Sequence, residues 1–141
     1  RIIEAFIAPV LQLRASAEGE YYALLVAREL SHATDEADRV LRRYFDPLAI
    51  AFIDALQRAL PHATRGQVAW GYQFALGALL HHLTDTRVER LSGGEDHAAD
   101  PGAGTLLLNF IVAGLRGALP RPRATSSSSI PTKSKTRRQA S

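Results

Sequence analysis

Histidine beside carboxylate is the chain's best material for chemistry, because a neutral imidazole binds metals and moves protons near neutral pH. His81, His82 and Asp85 lie close together. On a helix His81 and Asp85, four residues apart, share a face, which is the spacing of two metal ligands. Adjacent side chains point about 100° apart, so His82 looks elsewhere, and a single pair does not complete a site. The same spacing suits a histidine near a helix C-terminus held by a carboxylate, and that is the expected role. Glu29 and His32 form a Glu-x-x-His unit, but di-iron bundles need two such units and two more inward glutamates. The sequence offers no second unit, and His32 is expected at a helix end, at most touching a ligand. Nucleophiles are scarcer. With no cysteine there is no thiolate zinc site, disulfide scaffold or cysteine nucleophile. Ser16 and Ser31 fall at expected helix ends, Ser92 precedes a Gly pair, and no Gly-x-Ser-x-Gly elbow or phosphate-cradling Gly loop occurs. The chain is therefore not expected to be an enzyme or to hold a metal or cofactor. A small helical-bundle metalloprotein or enzyme using His32, His81 and His82 is the alternative reading.

The elements that must position these groups are helices. Through residues 1–119 apolar residues recur at helical spacing without β-branched alternation. A first helix places Ile3, Ile7, Val10 and Leu13 on one stripe, with Pro9 inside it as a kink. A break around residues 16–19 precedes a second helix over 20–31. Thr34 caps a third, with Asp35 and Glu36 in its first turn; its apolar period runs through Leu41, Phe45, Leu48, Phe52, Leu56 and Leu60, so Pro47 kinks it and Pro61 ends it. Thr64 and Gln67 make a capping box for a fourth helix. A Gly- and Pro-containing loop of about a dozen residues leads to a fifth, capped by Thr105 and ending near Leu119. The expected fold is an all-α five-helix bundle.

The fourth and fifth helices are apolar nearly all round. VAWGYQFALGALL has one strongly polar residue, Gln73, and TLLLNFIVAGLRGAL is interrupted only by Asn109 and Arg116. Such helices need cover on two sides, more than three other helices can supply. Interior glycines at Gly71, Gly77, Gly114 and Gly117 each cost roughly 0.5 to 1 kcal/mol against alanine, and close approach of a neighbouring helix offsets that. A two-fold dimer pairing both helices with their copies supplies the missing cover. The aromatics Phe6, Tyr22, Phe45, Phe52, Trp70 and Phe74 are expected to converge between the first four helices, where bundles place apolar cavities. Arg28 sits on an otherwise apolar helix face, where an unpaired charge is costly; it is expected to pair with Glu29 or Asp54, or else to meet a polar group on a ligand.

Charge is segregated. The chain's 141 residues carry 17 Lys and Arg against 14 Asp and Glu, for a net charge of +3. Six of the basic residues, Arg121, Arg123, Lys133, Lys135, Arg137 and Arg138, stand in residues 120–141, which hold no acid; the preceding body is mildly acidic. The tail, rich in Ser and Pro and poor in large apolar residues, is expected to be disordered, with at most a salt-dependent attraction to phosphate. The domains read as a helical body over 1–119 and a basic tail over 120–141. No apolar run reaches the roughly 18 residues of a membrane span and no secretory leader opens the chain, so a cytoplasmic location without membrane contact is expected. The chain starts at Arg1 with no methionine anywhere, which suggests a piece of something longer.

The order of elements carries a resemblance. A first helix with an internal proline, a long helix ending in ALQRALP, a capped helix containing WGYQFALGALLHHL, a Gly-rich loop and a last helix reading FIVAGLRGAL together resemble the C-terminal domain of TetR-family transcriptional regulators, over most of residues 1–119. The resemblance implies that the last two long helices pair in a dimeric four-helix bundle, with Gly77, Ala78, His81, Phe110, Ala113, Gly114 and Gly117 at the homodimer interface. It implies that the earlier helices enclose a small apolar or aromatic effector, contacted by Phe6, Tyr22, Arg28, Phe52, Trp70 and Phe74. Operator DNA would be reached only through an N-terminal helix-turn-helix domain that this sequence does not contain. An effector would then relieve operator binding by shifting the population of dimers away from a spacing of about 34 to 36 Å between DNA-reading units.

Overall fold

A computed structural model describes residues 1–14, 17–31 and 34–120, and gives the backbone alone at 13, 14, 17, 20, 22, 23 and 29–31. His32 and the tail from 121 to 141 lie outside the described residues. The described residues form helices joined by turns and loops, with no strand among them.

Helix α1, Ile2–Arg14, turns Ile3 and Ile7 into the core and carries Pro9 without ending. Helix α2, Ala17–Ser31, starts before the expected break at 16–19 has finished: Gly19 is a buried helical residue, not a loop. The expected third helix divides into α3, Asp35–Val40, a π-helical turn over Leu41–Phe45, and α4, Asp46–Ala59. The Thr34 hydroxyl accepts from the Ala37 amide at 3.1 Å, as the cap predicts. Proline at 47 lacks the N–H that would close the preceding α-helical turn, and the wider π turn just before it lets the chain stay helical. Leu48, read as part of the inward stripe, is 56% exposed, because the π turn shifts the register of the helix that follows it.

The Thr64 capping box forms as read. The Thr64 amide donates to Gln67 Oε1 at 2.8 Å and the Gln67 amide to Thr64 Oγ1 at 3.2 Å. This opens α5, Arg65–Thr84, whose inward side is Val68, Gly71, Ala75, Leu79 and Leu83. Helix α5 ends at Thr84, and a short α6, Val88–Leu91, precedes the expected Gly- and Pro-containing loop. Gly93 and Gly94 follow with φ of 71° and 89°, a left-handed backbone that favours glycine. Helix α7, Pro101–Ala118, begins before the expected cap at Thr105: Asp100 accepts from the Gly102 amide at 2.6 Å and Pro101 takes the first helical position, where its missing N–H costs nothing.

The core joins α1, α4, α5 and α7 through Ile7, Leu56, Val68, Leu79, Ile111 and Leu115. One expected close approach occurs inside the protomer: a Cβ on Gly71 would stand 2.7 Å from Leu115 Cδ2, so α7 packs tightly on α5 there. Gly77, Gly114 and Gly117 have nothing within 4 Å of a built Cβ. Among the described residues no helix is long and apolar enough to cross a membrane.

Candidate functional site: an aromatic core cluster and an outer face of α5 and α7

Two of the expected pocket residues meet. Phe6 on α1 and Phe52 on α4 pack edge to face with ring centroids 4.9 Å apart, and Tyr72 on α5 joins Phe6 at 5.4 Å. Such tilted contacts suit the ring quadrupoles. Burial pushes the Tyr72 phenol above its ordinary range, and the Asp46 carboxylate adds to the effect. Tyr72 was missed by sequence reasoning, although its spacing to Val68, Ala75 and Leu79 placed it on the inward side.

Trp70 and Phe74 do not join this cluster. They stack on each other 5.6 Å apart, 64% and 69% exposed, on the opposite side of α5. The expected convergence fails because α5 is apolar on both sides, so composition could not tell which aromatics turn inward. Phe45 lies on the π turn and is half-buried. The Tyr22 side chain lies outside the described residues. Arg28 is on the exposed side of α2, in a shallow hollow with Gly77, Leu80, His81 and Thr84. Of its two expected partners, Asp54 is held by Arg65 at 2.7 Å and the Glu29 side chain lies outside the described residues.

The outer face has an ordered pattern. On α5 the exposed residues Trp70, Phe74, Gly77 and His81 follow one another at steps of four, three and four; on α7 Leu106, Phe110, Ala113 and Gly117 do the same, also exposed. This is the spacing of a seam along one side of a helix that packs against another helix. Between the two helices runs an apolar groove of about 560 Å³, walled by Trp70, Phe74 and Phe110 and floored by Gly114, Leu115 and Leu119. Of the expected interface residues, Gly77, His81, Phe110, Ala113, Gly114 and Gly117 all lie exposed on these helices. Ala78 instead packs partly against the core.

At one end the face becomes polar. Asp85 caps α5, and its carboxylate accepts from the Arg87 side chain through Nε at 2.9 Å and through Nη2, and from the Arg87 amide at 2.9 Å. These bonds hold its carboxyl well below the usual carboxylate range. His81 Nε2 stands 3.0 Å from Asp85 Oδ2, and His97 Nδ1 stands 3.5 Å from Glu89 Oε2. His81, His82, Asp85, Asp96, His97 and Phe110 border one hollow of about 670 Å³. Among the described residues no group of three or more His, Cys, Asp or Glu has the arrangement to hold a metal ion. His81 lies in the last turn of α5, within 3.0 Å of the Asp85 carboxylate.

A search of curated proteins finds no match to the chain. The family described as tetracyclin repressor-like, C-terminal domain, matches residues 4–114, a span that includes the aromatic cluster and most of both seams. The chain belongs to that family of TetR-like C-terminal domains.

Proposed function

We propose that residues 1–119 are the effector-sensing and dimerisation domain of a cytoplasmic TetR-like transcriptional repressor with no catalytic step of its own. Two copies associate through the outer faces of α5 and α7, and a small apolar or aromatic effector acts through the packing of α1 against α4 and α5. Operator DNA is reached only through a helix-turn-helix unit outside residues 1–141. The observation that carries the dimer is the pair of matching exposed seams. Trp70, Phe74, Leu106 and Phe110 are each at least 64% exposed, and Trp70, Phe74 and Phe110 line one groove, whereas singly scattered apolar residues would need no partner. In this reading Trp70 and Phe74 serve the interface, not the effector. Phe6, Phe52 and Tyr72, which join three helices, are the contacts through which a ligand would shift α1.

Trp70 is the only tryptophan, so its emission reports the face directly. On concentrating the full chain, emission moves to shorter wavelength and acrylamide quenching falls. Phe110→Arg abolishes both changes at the same concentrations, since an aromatic anchor at an interface centre is worth about 2 kcal/mol or more, roughly 30-fold in dissociation constant. Emission and quenching that do not vary with concentration would sink the dimer reading. Equal behaviour of Phe110→Arg and wild type would move the interface elsewhere.

A further inference from the structure

We propose that the hollow at the polar end of this face is a binding site for a small organic cation, an ammonium group carried on an apolar body. The hollow lies between the last turn of α5, α6 with the loop that follows it, and the first half of α7. All its walls come from one protomer, so the proposal does not depend on the dimer, and none of Phe6, Phe52 and Tyr72 borders it. Its volume of about 670 Å³ falls in the range of small-molecule pockets, roughly 300 to 1,000 Å³. Val88, Leu91, Leu106 and Leu107 offer it apolar wall. Phe110 adds an aromatic ring, and the face of such a ring attracts cations.

The sign of the ligand's charge follows from the acids. Two carboxylates border the hollow, Asp85 and Asp96. Asp85 is matched by Arg87, whose Nε reaches both of its oxygens at 2.9 Å. Asp96 is not matched. It is half-buried, its Oδ1 accepts from the His97 amide at 2.8 Å, and among the described residues its carboxylate has no ion pair and its Oδ2 no donor. A carboxylate set against apolar walls loses hydration, and a cationic donor replaces it with the strongest kind of hydrogen bond. The loop holds Asp96 there: its amide donates to Ser92 Oγ at 3.1 Å, and Ser92 Oγ donates to the Glu89 carbonyl of α6 at 3.1 Å.

The surrounding groups agree with that sign. The His97 imidazole faces Glu89 at 3.5 Å and the His81 imidazole faces Asp85 at 3.0 Å, so each already stands beside another carboxylate. Helix α5 ends on the hollow at His82 and Asp85, and the negative end of a helix dipole favours a cation. Helix α7 begins nearby, but its positive end is covered by its own cap, Asp100, which accepts from the Gly102 amide at 2.6 Å. An anionic ligand would therefore meet Asp96 with nothing to offset it, and a neutral one would leave that carboxylate as it is.

Three probes of similar shape and different charge test the proposal: phenethylamine, phenethyl alcohol and hydrocinnamate, titrated into the full chain while the histidine ring resonances are followed by NMR. Phenethylamine should shift His82 and His97, which border the hollow, and leave His62, at the α4–α5 join, in place. Its dissociation constant should be about tenfold lower than that of the alcohol, as a hydrogen bond to a charged group predicts, with hydrocinnamate weakest. Asp96→Asn keeps the size of the side chain and its bond from the His97 amide, and should bring amine and alcohol within about threefold. Glu95→Gln, which removes a neighbouring charge outside the hollow, should keep the wild-type preference. An amine that binds wild type no better than the alcohol overturns the proposal, and so does tighter binding of hydrocinnamate or no binding by any probe. A preference that survives Asp96→Asn overturns the choice of carboxylate. Shifts at His62 as large as those at His82 and His97 also overturn it, because the cation would then be drawn to acidic surface in general.

Discussion

At the level of single residues, glycine marks two kinds of position, one packed inside the protomer and one open on its surface. Gly71 is occupied: Leu115 lies where its side chain would be. Gly77, Gly114 and Gly117 are open to solvent, yet each weakens its helix by roughly 0.5 to 1 kcal/mol relative to alanine. Gly114→Leu should therefore leave the protomer's helicity and thermal stability unchanged or slightly raised, while weakening association by filling the groove floor that the partner must approach. Circular dichroism melts and sedimentation, read side by side, check this; a variant that associates as wild type would show that the open glycines serve no interface. Residue identities made part of this legible in advance. The Thr64 and Gln67 pair specified its capping box, and His81 and Asp85 their contact, because both depend only on helical spacing. Trp70 and Phe74 were misplaced because a helix apolar on every side hides which face it buries. Tyr72, which does face inward, was obscured by the same uniformity.

Among the elements, the join between α4 and α5 is where local bonds hold tertiary geometry. Gln57 Nε2 donates to the Ala63 carbonyl at 2.8 Å, the capping box starts α5 four residues after Leu60, and Arg65 reaches back to Asp54. These are not equal in weight. Thr64→Ala removes the hydroxyl that satisfies an otherwise orphaned amide and should cost about 1 kcal/mol. Asp54→Asn breaks an ion pair whose partners are 58% and 43% exposed and should cost at most about 0.5 kcal/mol after solvent screening. Denaturant unfolding of the two variants checks the ordering, and the reverse order would contradict it. The boundaries that sequence reasoning missed have physical reasons. The π turn before Pro47 is a response of the backbone to a missing donor and has no side-chain signature of its own. The start of α7 was read as loop because Pro101, Gly102 and Gly104 resemble loop composition, whereas Asp100 and Pro101 form a cap and first turn. Gly104 then lets Leu11 of α1 approach, since a Cβ there would stand 2.9 Å from its side chain.

For the whole molecule, the all-helical body was legible from periodicity alone, and so were two helices apolar on both sides. Which surface remains uncovered was not, because it depends on the angle at which α7 crosses α5 and on the Gly71 contact that sets their separation. The structure leaves the seams of α5 and α7 side by side, with the aromatic cluster of Phe6, Phe52 and Tyr72 on the other side of α5. In the proposed dimer the outer face and the inner cluster share one helix and are coupled through it, since displacing α1 or α4 from α5 changes how α5 presents its seam. The most direct measurement is sedimentation velocity of the full chain across about 1 to 100 µM near neutral pH, a range that brackets micromolar association of about −8 kcal/mol. The account predicts a single reversible shift from 15.4 kDa to twice that mass, abolished by Phe110→Arg. A species that stays at the protomer mass throughout would contradict it.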